Sequence, residues 1–102
     1  MTAPDKLTAQ DFLAMDIAGR RFRSREGRSQ LRGIVRGARF DDGRVSVSVG
    51  AVEQQRGRAW VPFPDFDYQG RADITGIWRE ADGRISIEIM HVARIVIFPA
   101  AD

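Results

Sequence analysis

Apolar and polar residues alternate along most of this chain after residue 20, which is the pattern of β-strands with one buried face. The clearest case is Val45, Val47 and Val49, which alternate with two serines. Segments with this period are separated by residues that favour turns. The pattern predicts strands at 20–25, 31–40, 45–49, 58–63 and 71–79, with a polar connection at 50–57 and an aromatic loop at 63–70.

The longest alternating segment covers residues 84–98. Five isoleucines and His91 share one parity there, and no turn residue interrupts the alternation. We interpret the segment as one long, curved strand, or as two strands that meet at a bulge near His91.

Two short sequences of aspartate followed by glycine predict tight hairpin turns. Asp42-Gly43 and Asp82-Gly83 each place a glycine where a two-residue turn needs positive φ. About six short strands joined by such turns predict a small barrel or a strongly curled antiparallel sheet.

The residues before the first strand carry the signals of a helix N-terminus. Thr8 has the position of an N-cap, and Asp11, three residues later, completes a capping box. Gly19 is a helix stop signal. The sequence therefore predicts one amphipathic helix at 8–18, after a disordered tail at 1–6.

Length and composition narrow the fold and exclude some chemistry. A chain of 102 residues suits a single domain, 1–102, and the expected class is α+β, mostly β, with antiparallel strands at 20–98. Cysteine is absent from the sequence, so disulfides, thiol catalysis and thiolate metal sites are excluded. No segment has the composition of a signal peptide or a membrane span, and we expect a cytoplasmic protein with no membrane partner.

Positive charge is concentrated in residues 20–39. Eight arginines and one acid, Glu26, give this segment a net charge of +7, whereas the whole chain has +2. Such a cluster can bind phosphates, with Phe22 and Phe40 available to stack; alternatively, its arginines lie on solvated strand faces and pair with acids elsewhere. The candidate anion-binding residues are Arg20, Arg21, Arg23, Arg25, Arg28, Arg32, Arg36 and Arg39.

Aromatic residues are concentrated in a second segment, which also contains two prolines and two aspartates. Trp60, Phe63, Phe66 and Tyr68 lie within nine residues. A loop of this composition either folds over the core as a lid or presents anchors to a partner. As an interaction loop, it would meet the arginine-rich strand of a second copy, which predicts a homo-oligomer, with a dimer favoured.

The sequence offers little for catalysis. His91 is the sole histidine, and none of the serines lies in a nucleophile elbow. Phosphate-loop, dinucleotide and metal-ligand motifs are missing from the sequence, so we expect no enzyme, no cofactor and no metal site. Trp78 and His91 are instead candidates for lining a small-ligand cavity inside a barrel.

Two segments resemble known families. Residues 31–35 (LRGIV), the acidic turn after them and the valine strand are similar to the first motif of Sm-like RNA-binding proteins, which also begin with a helix. The base-binding asparagine and the second motif of that family are missing, so no site residue is transferred. Residues 40–45 and 77–80, each part of a hairpin, are similar to small lipocalin-like barrels, and this similarity is confined to the hairpins.

These observations favour a non-catalytic binding or assembly protein that acts through protein–protein contacts and self-associates. The first alternative is a nucleic-acid-binding barrel that uses residues 20–39. The second is a small-molecule-binding barrel with a cavity near Trp78 and His91.

Overall fold

The computed structural model describes residues 4–41, 44–71, 76–89 and 93–100. The predicted turn residues Asp42 and Gly43 and the predicted cavity residue His91 lie outside these ranges. None of the helical structure in the described ranges is long and apolar enough to cross a membrane.

Mostly β structure was predicted, and the described residues form one antiparallel sheet and one short helix. In chain order the elements are β1 (Asp5–Lys6), α1 (Ala9–Leu13), β2 (Arg21–Glu26), β3 (Ser29–Asp41), β4 (Arg44–Arg56), β5 (Ala59–Pro62), β6 (Phe66–Arg71), β7 (Ile77–Arg79), β8 (Ile85–Ile89) and β9 (Ala93–Ile97). The nine strands in this part of the chain exceed the predicted six.

Neighbouring strands follow the order β1-β7-β8-β9-β2-β3-β4-β5. β4 is long enough to pair with two strands on its outer side, β6 along its first half and β5 along its second half. The sheet curls so that β6 comes to lie against β8, although the path of hydrogen-bonded strands stays open in the described residues. The prediction of a mostly β, antiparallel fold is thus confirmed, whereas a closed barrel is not formed by the strands described.

One hydrophobic core fills the concave side of the sheet. On β2 the side chains of Phe22 and Ser24 point inwards and are buried, while those of Arg21, Arg23 and Arg25 point outwards. The buried apolar side chains are Phe12, Ile17, Phe22, Val35, Val45, Val47, Val49, Val52, Tyr68, Ile77, Ile85, Ile87, Ile95 and Ile97. Alternation along each strand places the apolar side chains on the concave side and the polar side chains on the convex side, which is accessible to solvent.

The helix is shorter than predicted. Thr8 caps it as expected: its side-chain oxygen accepts from the backbone N–H of Asp11 at 3.0 Å, and the carboxylate of Asp11 accepts from the backbone N–H of Thr8. However, α1 ends at Leu13, so the prediction of helix through residue 18 is wrong. The N–H of Gly19, whose φ is +85°, donates to the carbonyl of Val35 at 2.8 Å. Backbone groups of this segment thus pair with β3 rather than with a helix.

Three segments predicted without regular structure belong to the sheet. The polar connection at 50–57 is the second half of β4, and the aromatic loop at 63–70 contains most of β6. Asp5 and Lys6, predicted in a disordered tail, pair with Arg79 and Trp78 as β1. In each case pairing with other strands provides the backbone hydrogen bonds, and the composition of the segment by itself gives no sign of those partners.

The segment at 84–98 is not one curved strand. It forms two strands, β8 and β9, that pair antiparallel, with Ile87 opposite Ile95 and Ile85 opposite Ile97. The two residues of each pair are an even number of positions apart in the sequence. The inward-pointing residues of β8 and of β9 are therefore all odd-numbered, although the chain reverses direction between the two strands. Alternation alone therefore could not distinguish this pairing from a single strand.

Candidate functional site: a basic groove on the convex face

Arginines of neighbouring strands lie side by side on the convex face of the sheet. Arg23 of β2 is directly opposite Arg32 of β3, and Arg32 is in turn opposite Glu53 of β4. The three side chains form a row across the sheet. Because Phe22 and Ser24 occupy the inward positions of β2, the side chain of Arg23 must point to the convex side.

Trp60 of β5 packs against this row. The guanidinium carbon of Arg32 lies 4.1 Å from the centroid of the indole ring, and that of Arg23 lies 5.7 Å from it. Both distances are within the range of cation–π attraction, which is strongest for tryptophan. The half-buried indole thus holds two guanidinium groups close together.

The row borders an open groove of about 740 Å³. We call it the arginine groove; its lining residues are Arg21, Phe22, Arg23, Arg32, Gly33, Ile34, Ala51, Glu53, Phe98 and Pro99. The chain after β9 forms part of it, because the N–H of Phe98 donates to the carbonyl of Arg21 at 2.9 Å. The groove therefore combines three cations with one acid and several apolar side chains.

Only part of the positive charge in the groove is neutralised. Glu53 accepts from the Nε of Arg32 at 3.0 Å, and both side chains remain about two-fifths exposed. In the described part of the chain, no carboxylate forms an ion pair with Arg21 or Arg23. Like charges directly opposite each other destabilise a sheet, so the Arg23–Arg32 pair costs stability that an anionic ligand would recover.

A β-bulge shapes the floor of the groove. The register between β3 and β4 shifts between Arg32 and Ile34, and Ala51 takes a φ of +49° there. A side chain on Gly33 would come within 2.7 Å of the carbonyl oxygen of Gly50. Glycine is required at position 33 because the backbone of β4 passes too close for a Cβ atom.

The other predicted anion-binding arginines lie outside the groove. Arg39 pairs with Asp67 at 3.4 Å, and the Nε of Arg25 donates to the carbonyl of Gly27. The guanidinium of Arg36 covers Gly50, and Arg28 is exposed in the turn after β2. Arg20 is half-buried, and its Nε has no hydrogen-bond partner among the described residues. The structure thus selects three of the eight arginines, Arg21, Arg23 and Arg32, for one site.

Sequence analysis did not identify the other groups that form the site. Glu53 and Trp60 were assigned to a connection and to a different candidate surface, and Phe98 was treated only as part of a strand. Arg94 was also missed; it is exposed on the convex face opposite Arg25 and extends the basic surface beyond the groove. The sequence gave one indication of this position: Arg94 alternates with Ile95, so it is expected on the face of the strand opposite to the core.

The predicted interaction loop is mostly packed against the core. Tyr68 is buried, and Phe63 and Phe66 are partly buried against the core. Their rings form edge-to-face contacts, with centroids 5.7 Å apart for Phe63 and Phe66 and 4.6 Å apart for Phe66 and Tyr68. Trp60 alone of the four belongs to the convex surface described above.

The hydroxyl groups of Tyr68 and Ser24 form a hydrogen bond of 2.5 Å inside the sheet. Burial raises the pKa of the Tyr68 hydroxyl above its ordinary value of 10.0, the bond to Ser24 opposes this rise, and the negative charge of Glu26 adds to it. Tyr68 is therefore a neutral structural group at physiological pH.

The predicted cavity near Trp78 and His91 cannot be assembled from the described residues, since His91 lies outside them. Trp78 is half-buried, and its ring packs against the backbone of Gly76. It does not line the arginine groove. In the described ranges, no group of three or more histidine, aspartate or glutamate side chains is placed to hold a metal ion.

Comparisons with protein-family models, with curated proteins and with solved structures gave no match for this chain.

Proposed function

We propose that this protein is a non-catalytic binding protein whose arginine groove receives an anionic partner. The observation that carries the proposal is the pairing of Arg23 with Arg32 across β2 and β3, beside Trp60, with a carboxylate bound to Arg32 alone. Among the described residues, the guanidinium groups of Arg21 and Arg23 in the groove have no carboxylate partner. Guanidinium groups donate hydrogen bonds in a fixed planar array and suit carboxylate and phosphate oxygens.

Binding rather than catalysis is supported by the chemistry of the lining. Arginine stays protonated in proteins and transfers no proton at ordinary pH. The carboxylate that lines the groove, Glu53, is already bound to Arg32. The remaining lining groups are apolar or backbone.

Assembly through the aromatic segment, which the sequence favoured, has less support. Three of its four rings pack against the core and against one another, so they offer little surface to a partner. Self-association stays a prediction, and light scattering at micromolar concentration would measure it.

The proposal is tested by calorimetric titration with inorganic polyphosphate at about 50 mM salt. We expect binding that weakens steeply as salt rises. The double variant Arg21→Gln/Arg23→Gln should weaken it about tenfold or more, because charge-assisted hydrogen bonds are lost. Arg58→Gln/Arg84→Gln has the same net charge but changes exposed arginines outside the groove, and it should bind like the wild type.

Two results would contradict the proposal. Failure of the wild type to bind polyphosphate at low salt is the first. Equal weakening in the two double variants is the second, because it would show a response to net charge without a specific site.

A further inference from the structure

We propose that the anionic partner of the arginine groove is a single-stranded nucleic acid. The inference rests on the proposed function, because it assumes that the groove binds anions, and it adds the chemical class of the ligand.

Trp60 lies beside the groove with two guanidinium groups close to its ring. The guanidinium of Arg32 lies 4.1 Å from the indole centroid of Trp60, and Arg23 lies on the same ring at a looser 5.7 Å. Guanidinium and indole planes are the surfaces on which unpaired bases stack. A partner with only carboxylate or phosphate groups would bind the charged arginines but would not stack on the indole or guanidinium surfaces.

The lining of the groove is chemically mixed. Ile34, Phe98 and Pro99 give the groove apolar surface beside its cations. A nucleotide has both parts, a charged phosphate and a flat base with an apolar face. In a duplex the base faces are stacked on one another, so only a single strand can present them to such a surface.

A carboxylate, that of Glu53, lies within this basic site. One oxygen of Glu53 accepts from Arg32 at 3.0 Å, and the side chain remains about two-fifths exposed. A carboxylate opposes the binding of a partner that is anionic throughout. It does suit the amino group of a base, for which glutamate is an established acceptor.

The two cations of the groove that have no carboxylate partner among the described residues also have a spacing that fits a nucleic acid strand. Arg21 and Arg23 lie on the same face of β2, about 6.6 Å apart along the strand. Neighbouring phosphates of an extended single strand have a similar separation. A nucleic acid strand that runs along β2 can therefore place successive phosphates on Arg21 and Arg23 while a base reaches Trp60.

The experiment uses fluorescence anisotropy at about 50 mM salt to compare the affinities of four labelled ligands for the protein. They are a single-stranded oligonucleotide of about ten nucleotides, an abasic strand of equal length, a duplex of the same sequence and a polyglutamate peptide of matched charge. We expect the oligonucleotide to bind about 5- to 150-fold more tightly than the abasic strand, which corresponds to the stacking of one base.

Variants distinguish base stacking at Trp60 from phosphate binding by the arginines. Trp60→Leu should abolish the difference in affinity between the oligonucleotide and the abasic strand, whereas Trp60→Phe should retain most of that difference. Arg21→Gln/Arg23→Gln should weaken both probes. It should also reduce the slope of log affinity against log salt by about 1.4, at about 0.7 for each phosphate contact to a single strand.

The outcomes separate this inference from the proposed function. Equal binding of oligonucleotide and abasic strand, or tighter binding of the duplex, would overturn the single-strand inference and leave anion binding intact. Tighter binding of polyglutamate would overturn it in favour of an acidic protein partner. If none of the four probes binds although polyphosphate does, the inference fails and the proposed function stands. If polyphosphate does not bind either, both fail.

Discussion

The hydroxyl groups of Ser24 and Tyr68 lie 2.5 Å apart inside the curled sheet, where they join β2 to β6. The two strands are not hydrogen-bonded neighbours, so this contact crosses the core instead of following the sheet. The ring of Tyr68 also meets Phe22 edge-to-face, with centroids 6.1 Å apart. The pair therefore helps to fix how tightly the sheet curls.

Tyr68→Phe is expected to lower the free energy of unfolding by about 1–3 kcal/mol, because the buried hydroxyl of Ser24 loses its partner. Ser24→Ala should have a similar effect, because the buried hydroxyl of Tyr68 then loses its partner. The double variant should cost less than the sum of the two single variants, since neither hydroxyl is then left unpaired. Urea denaturation measures all three; strictly additive effects would contradict the hydrogen bond.

Stability should fall at alkaline pH through Tyr68. Burial raises the pKa of its hydroxyl above 10.0 in the folded protein, so between the unfolded and folded pKa values only the unfolded chain loses the proton. The effect of Tyr68 on the free energy of unfolding is therefore constant below about pH 10, and stability is lost as the pH rises above that value. The chain has one tyrosine, so the near-ultraviolet absorbance of tyrosinate reports this group alone.

Tyr68→Phe is the control for that titration, and its alkaline loss of stability should be smaller than that of the wild type. Ionisation of Tyr68 in the folded protein at or below pH 10.0 would contradict the buried position.

Gly33→Ala should destabilise the protein by about 1–3 kcal/mol, the usual cost of forcing an extra group into packed surroundings. The new Cβ atom would meet the carbonyl oxygen of Gly50 at 2.7 Å and the Phe22 ring at 3.0 Å. Gly37→Ala is the matched control on the same strand, because a Cβ atom there has nothing within 4 Å. Equal thermal stability of the two variants would argue against the close approach of β4 to Gly33.

Thr8→Ala should cost about 1 kcal/mol, the typical value of an N-cap, although α1 has only five residues. The cap holds the turn that places Phe12 in the core, where its side chain is fully buried. Thr8→Ser retains the accepting oxygen and should keep most of the stability. A loss as large in Thr8→Ser as in Thr8→Ala would assign the effect to the methyl group instead.

Glu53→Gln should strengthen polyphosphate binding about 2- to 5-fold, because it removes the negative charge that neutralises Arg32 in the groove. The gain should be smaller for a single-stranded oligonucleotide, in which the carboxylate also accepts from a base. Asp65→Asn makes the same change in net charge at an exposed position outside the groove and should leave both affinities unchanged. A gain of equal size in Asp65→Asn would indicate a response to net charge alone.

Features with a local cause could be predicted from the sequence. The Thr8–Asp11 capping box forms because both partners lie within one turn of helix. Gly83 has a φ of +89°, as the predicted turn requires, because the conformation depends on a few neighbouring residues. β5 lies at the end of the strand order, consistent with the position of Pro62, which has no N–H to donate to a further strand.

Sequence by itself therefore determined which segments alternate, where the helix begins and which stretch carries the arginines. Only the tertiary structure decided that β8 and β9 pair with each other, that β4 extends to Arg56 and that the aromatic segment supplies β6. Likewise, Arg23 and Arg32 differ in parity and meet on one face only because of the register between β2 and β3. The physical reason is that register and bulges are set by backbone hydrogen bonds between strands, and alternation along one strand does not record which residues of another strand lie opposite.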